Sequence, residues 1–276
     1  MRLLISVILA LSICIPVSFS QPAEQPTIKV AILDTGFDFD SDWKNLDVKD
    51  EDGLKLVKPK LCKTGHKDFT NKAIKDVHGH GTHLAGIVGK FAQNTNYCLI
   101  IIKAYHIKSL PNTVTAYTKA IKYATDMGVD VINYSGGGSE YDVGEYNAVQ
   151  KALDKGIVIV AAAGNEKIKI DFNILKIEKR SSLFTPIYIH AQTQKITEIR
   201  QEGYYPAAYD PRIISVGNGY DEEKRHSTTN YGYTVRAYEK GARILSILPG
   251  NAYGSMSGTS QSAATRTGKI IKNWKK

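Results

Sequence analysis

Cysteine is scarce: Cys14, Cys62 and Cys98 are the only three in 276 residues. A chain this poor in cysteine is not a disulfide-framed scaffold and has to rely on a hydrophobic core. Internal repeats and long low-complexity runs are also missing, which points to one compact core. No helix-turn-helix, zinc-finger or RNA-binding signature occurs, so nucleic acid is not an expected partner. The HExxH arrangement of metalloproteases is absent. An EF-hand loop starting at Asp38 fails, because Trp43 stands where the sharp turn needs glycine.

What remains is ordinary in composition, with 42% apolar and 23% charged residues. The net charge is +9, carried by scattered lysines and arginines with modest clusters at 176–180 and 269–276. Scattered charge reads as a solvated surface; it also suits an anionic envelope or acidic substrates. The N-terminus stands apart. A basic start, an apolar run over 3–19 and small residues before Gln21 predict a secretory signal peptide at 1–20, with an uncleaved anchor as the alternative. Its removal takes Cys14 and leaves Cys62 and Cys98. In an oxidising compartment these form a natural pair; otherwise they are two buried thiols. The expected location is secreted, periplasmic or at the cell envelope, with no stable membrane span after removal of the leader. A monomer is expected.

Along the chain, apolar runs alternate with amphipathic stretches. "IKVAILD", "CLIIIKAY", "VDVINYS" and "IVIVAAAGN" read as buried strands, and "RIISVGN" and "GARILSILPG" as later ones. "THLAGIVGKF", "TVTAYTKAIKYATDMG" and "VGEYNAVQKALDKG" read as helices, the last two stopped by glycine, and a final helix runs from near Gly258 to about Lys272. Continuous apolar strands alternating with helices predict βαβ units: an α/β protein with a mostly parallel central sheet covered on both faces. Ligands bind such sheets beyond the carboxyl ends of the strands, where Asp34, Ser135 and Asn165 follow strands directly. The charged, partly alternating stretch at about 167–203 reads as an insertion in a domain spanning 21–276.

Each polar motif has a plain reading beside a chemical one. "DTG" at Asp34 also occurs in ordinary turns. "DVHGHGTHLAG" offers His78, His80 and His83 as zinc ligands, or His80 as an acid/base with His83 packed on the next turn. Asn165 in "AAAGNE" is equally a turn residue. "GSMSGTSQSAA" holds four serines among small residues. In this order, however, the segments resemble the subtilisin-like serine proteases: "VAILDTGFD", "DVHGHGTHLAGIVG", "VINYSGGG", "AAAGNE", "YPAAYDPRIISVGN" and "ILPGNAYGSMSGTSQSAA" together span most of 28–272. The order Asp, His, Ser is that family's order.

The resemblance implies a three-layer α/β/α fold and a secreted endopeptidase acting on peptide or protein substrates through an acyl-enzyme. It implies Asp34, His80 and Ser260 as the triad, and Asn165 with the Ser260 N–H as the oxyanion donors. Ser135, Gly136 and Gly137 would pair with an extended substrate. Ala162, Ala163 and Gly164 would wall a roomy primary pocket with Glu166 near its rim. The chemistry needs no cofactor; Asp38, Asp40 and Asp42 are weak candidates for structural calcium. The chain departs from the family in having only Gln21–Pro26 where a folding pro-segment is usual, and Ala264 where proline is frequent. The rival readings are a catalytically silent peptide-binding relative, a histidine-metal hydrolase and a basic envelope-binding module.

Overall fold

The computed structural model describes residues 27–43, 46–106, 113–170 and 203–275. The leader read at 1–20 and most of the insertion read at 167–203 lie outside the described residues. Nine strands and four helices are described, in the order β1 (Ile28–Asp34), β2 (Lys67–Asp68), α1 (His80–Phe91), β3 (Tyr97–Lys103), α2 (Thr113–Asp126), β4 (Val131–Tyr134), α3 (Val143–Asp154), β5 (Val158–Ala162), β6 (Ile214–Asn218), β7 (Ala237–Glu239), β8 (Ile244–Leu248), β9 (Ala252–Met256) and α4 (Thr259–Lys272). Seven strands form one sheet in the order β2-β3-β1-β4-β5-β6-β7, and every neighbouring pair in it is parallel.

The apolar runs of the sequence are explained by this sheet. Successive side chains of a strand point to opposite faces, so a strand covered on both sides must be apolar throughout. Ala31 and Leu33 of β1, Ile100 and Ile102 of β3, and Ile132 of β4 enter a core under α2 and α3. Val30 and Ile32, Leu99 and Ile101, and Val131 enter a second core under α1 and α4. Each such fully buried Ile or Leu contributes roughly 1.5–3 kcal/mol from the apolar surface it removes from water. Helix, sheet and helix thus make the three expected layers.

The run at 241–250 holds a strand, β8, but it does not join the main sheet. It pairs antiparallel with β9 in a separate hairpin that packs beside α1 and delivers the chain to α4. Cys62 and Cys98 are bridged, tying the loop before β2 to β3. At the ends of the insertion, Lys167 N–H bonds to the Thr228 carbonyl (3.0 Å) and Ile170 N–H to that of Tyr231 (2.7 Å), while Tyr205 exchanges both backbone bonds with Gly138 (2.7 and 3.0 Å). Among the described residues, no helix is long and apolar enough to cross a membrane.

Candidate active site

Asp34 is the last residue of β1, at the carboxyl end of a central strand, and it is buried. Its Oδ1 accepts a bond from His80 Nδ1 (2.8 Å) and another from the Thr35 N–H (2.8 Å). A carboxylate can only accept, so Nδ1 carries a proton and, in the neutral ring, Nε2 is left with a lone pair. Burial lowers the pKa of His80, but the Asp34 charge and hydrogen bond, with the Asp76 charge behind them, more than reverse this and hold it above 6.5.

His80 opens α1, and its placement depends on a residue that sequence reasoning missed. Asp76 is buried and accepts five bonds: from Thr35 Oγ1 (3.0 Å) and the N–H groups of His78 (3.0 Å), Gly79 (2.8 Å) and Thr82 (2.9 Å), and from Thr82 Oγ1 (2.8 Å). Burial alone would raise its pKa; these donors hold it below the ordinary carboxylate value. The N–H groups of a helix's first turn have no partner within the helix, and Asp76 supplies one. Thr35 completes the web by accepting the Gly81 N–H (2.8 Å), so the residue beside Asp34 is bonded to the start of α1.

Ser260 lies in the first turn of α4. The chain enters this helix through Gly258 at φ 152°, a backbone that residues with a side chain rarely adopt. The Ser260 hydroxyl donates to the Ser135 carbonyl (2.8 Å), and the Ser135 hydroxyl donates to the Ser260 carbonyl (3.1 Å). Ser135 Oγ accepts from Asn133 Nδ2 (2.9 Å), whose Oδ1 accepts from Thr267 Oγ1 (2.9 Å). This buried network fixes α4 against the end of β4. Of the other three serines, Ser255 lies in β9, Ser257 Oγ accepts the Arg243 N–H (2.8 Å), and Ser262 Oγ turns back to the Gly258 carbonyl (3.3 Å).

Asn165 follows β5 and is exposed. Its Oδ1 accepts the Thr259 N–H (2.9 Å), which makes the NH2 the end left to donate. Gly164 N–H bonds to Thr259 Oγ1 (3.1 Å), giving a second tie between this turn and α4. Behind the turn sits buried Asn230, also missed from sequence. Its Nδ2 donates to the Ala163 carbonyl (2.8 Å) and to Glu166 Oε2 (2.7 Å), and its Oδ1 accepts the N–H groups of Glu166 (3.1 Å) and Ile168 (3.0 Å). A cleft of about 290 Å³ is lined by Asp34, His80, Ser135, Gly136, Gly137 and Tyr204, among others.

A model of the subtilase family matches residues 25–273. The chain belongs to the subtilase family. It is 30% identical to subtilisin DY of Bacillus licheniformis, over 86% of this chain and 72% of that one. It is 29% identical to the major intracellular serine protease of Bacillus subtilis, over 92% and 70%. The fold is shared with a cold-adapted subtilisin-like serine proteinase (TM-score 0.62, 20% identity, 88% of this chain and 74% of the other). A lanthipeptide protease also shares it (TM-score 0.65, 18% identity, 88% and 72%). This subtilase is a serine-type endopeptidase.

Several expected groupings are not formed in this subtilase. The three histidines do not converge: His78 is exposed, whereas His83 is buried with Nε2 against the Gly254 carbonyl (3.1 Å) and its pKa is pushed down to about 4 by burial. Among the described residues, no group of three His, Cys, Asp or Glu side chains is placed to hold a metal ion. Asp38, Asp40 and Asp42 likewise do not gather. Asp38 turns inward to accept from Ser41 Oγ (2.5 Å) and the Gly250 N–H (2.8 Å), and Asp40 pairs with Lys75 (2.6 Å). His80 and Ser260 share no hydrogen bond in this structure, since the Ser260 proton is engaged at Ser135. Ala162 and Ala163, read from sequence as part of a pocket wall, are buried. The Tyr204 ring lies against Gly164 and Gly137.

Proposed function

We propose that this subtilase cleaves peptide bonds with Ser260 as nucleophile, His80 as general base and Asp34 as the group that orients and stabilises the imidazole. The Asp34–His80 bond carries this reading. It fixes the tautomer whose free Nε2 can take a proton, next to the cleft at whose edge Ser260 is tethered to Ser135. In the resting arrangement the serine proton is held by the Ser135 carbonyl. Turning it toward Nε2 gives up one hydrogen bond, about 0.5–1.5 kcal/mol, and catalytic bonds commonly tighten only once substrate is bound.

Attack by Oγ on the substrate carbonyl transfers the serine proton to His80 and forms a tetrahedral oxyanion. The Asn165 NH2 and the Ser260 N–H, at the positive end of α4, stabilise it; one such donor is worth roughly 100- to 1,000-fold in turnover. Collapse of the intermediate returns the proton from His80 to the leaving amine and leaves an acyl-Ser260, which water hydrolyses by the same two steps. Among the described residues, none bonds to the backbone of Gly136 or Gly137, so an extended substrate can add there as a strand.

The leader-like N-terminus and the Cys62–Cys98 bridge favour export, although two relatives are named as intracellular. A fluorophosphonate probe tests the catalytic reading. Labelling of the protein is expected, and its loss in Ser260→Ala; no labelling of the wild-type chain would leave a peptide-binding relative.

A further inference from the structure

Between 135–137, read above as pairing with the substrate backbone, and 162–164, read above as a wall of the primary pocket, a sequence of small residues leaves room for a bulky substrate side chain. The structure fills that room from within. A Cβ built on Gly137 would lie 2.5 Å from Cε1 of Tyr204, and one built on Gly164 would lie 2.9 Å from its Cε2. Cε1 and Cε2 are opposite edges of one ring, so the ring spans the gap between the walls. Allowing for the Cα–Cβ bond, each edge is within about 4–4.5 Å of the glycine Cα, which is van der Waals contact. At Gly137 a side chain would meet the Tyr204 ring and the Tyr205 carbonyl (2.6 Å); at Gly164 it would meet Asn230 and Glu166 as well as the ring, so the ring packs against two positions that have no room for a Cβ.

The ring is held in place by its backbone. Tyr205, the next residue, exchanges both backbone bonds with Gly138, and the Tyr204 carbonyl accepts the Ala208 N–H (2.9 Å). Burial, with the nearby Glu166 charge, pushes the phenol up to about 12, so the ring fills the site as a neutral group. Glu166 is exposed, and its Oε2 accepts a bond from Asn230 Nδ2 (2.7 Å).

We infer that Tyr204 sets the primary specificity of this protease, by occupying the pocket and admitting only small residues (Gly, Ala, Ser) on the acyl side of the cleaved bond. The inference rests on the proposed placement of the substrate along 135–137 and 162–164. A small residue needs little more room than the ring leaves. A Phe or Leu would have to displace a ring that fills the space between Gly137 and Gly164.

The test uses two chromogenic peptides that differ only in Ala or Phe at the acyl-side position. The wild-type chain should cleave the Ala peptide with a kcat/KM at least about tenfold higher. Tyr204→Gly should raise the Phe-to-Ala ratio by roughly 10- to 200-fold, and Tyr204→Phe, which keeps the ring, should retain the wild-type ranking. Equal use of both peptides by the wild-type chain, or an unchanged ratio in Tyr204→Gly, overturns the inference. If thermal melting shows that Tyr204→Gly does not fold, Tyr204→Ala replaces it under the same criteria. Binding of the two acid-terminated product peptides to Ser260→Ala, with and without Tyr204→Gly, separates this inference from the catalytic reading. If wild-type protein neither cleaves nor labels but Tyr204 still governs which peptide binds, catalysis by Ser260 falls and the pocket assignment stands. If binding is indifferent to Tyr204, the pocket assignment falls.

Discussion

Replacing Asp76 with Asn should damage both stability and turnover, although Asp76 lies outside the proposed triad. The carboxylate uses both oxygens: Oδ1 takes Thr35 Oγ1, His78 N–H and Gly79 N–H, and Oδ2 takes the N–H and hydroxyl of Thr82. An amide keeps one oxygen and turns an NH2 toward the other donors. With the oxygen kept at Oδ1, the Thr82 hydroxyl can rotate but its N–H faces another donor in a buried site. Losing one or two charge-assisted bonds costs about 2–5 kcal/mol, or roughly 5–20 °C in melting temperature for a domain of this size. Because His80 sits in the turn being held, a shift of about 1 Å would lower kcat by about 100-fold. Stability should be read by calorimetry in a Ser260→Ala background, which prevents self-digestion, and kcat in the active chain. Linkage gives a further check. The folded pKa of Asp76 is below the ordinary 3.8, so its contribution is complete above that value and is lost as pH falls through the folded pKa. The two melting curves should therefore converge in acid. A loss below about 1 kcal/mol with unchanged kcat, or a melting difference independent of pH, would refute the reasoning.

Three further outcomes are expected. The folded pKa of His80 is raised and the base must be neutral, so the acid limb of kcat/KM should lie above pH 6.5; a pH–rate profile with its limb at or below that value contradicts the assignment. Asp34→Asn should move the limb downward and lower kcat by about 10,000-fold. Replacing Cys62 and Cys98 together by Ser opens a loop of sequence separation 36, which costs roughly 3–4 kcal/mol. The melting temperature should fall by roughly 6–16 °C, and a change under about 2 °C counts against that estimate.

The parts of the molecule legible in the sequence are those whose environment imposes a pattern. A parallel strand buried on both faces has to be a continuous apolar run, which is why β1, β3, β4 and β5 were readable and why residues at their carboxyl ends stood out. β7 and β9 were not readable. The first is a three-residue edge strand, and the second is a largely exposed "AYGSM" whose register comes from the hairpin with β8. The triad candidates sit in small-residue motifs. By contrast, Asp76 and Asn230 look like any loop aspartate or asparagine until their donors and acceptors converge from segments far apart in sequence. Tyr204 is one of 16 tyrosines. Nothing local marks it, because its effect depends on the two glycines it touches, each from a different strand end.

The reciprocal bonding of Ser135 and Ser260 joins residues 125 positions apart. A helix near the C-terminus must dock on the middle of the sheet before the hydroxyl is oriented at all, and contacts of such long sequence separation form slowly. On the proposed mechanism, a partly synthesised chain, however well its early strands have paired, has no contact to position its nucleophile, because the Ser135–Ser260 pair cannot yet form.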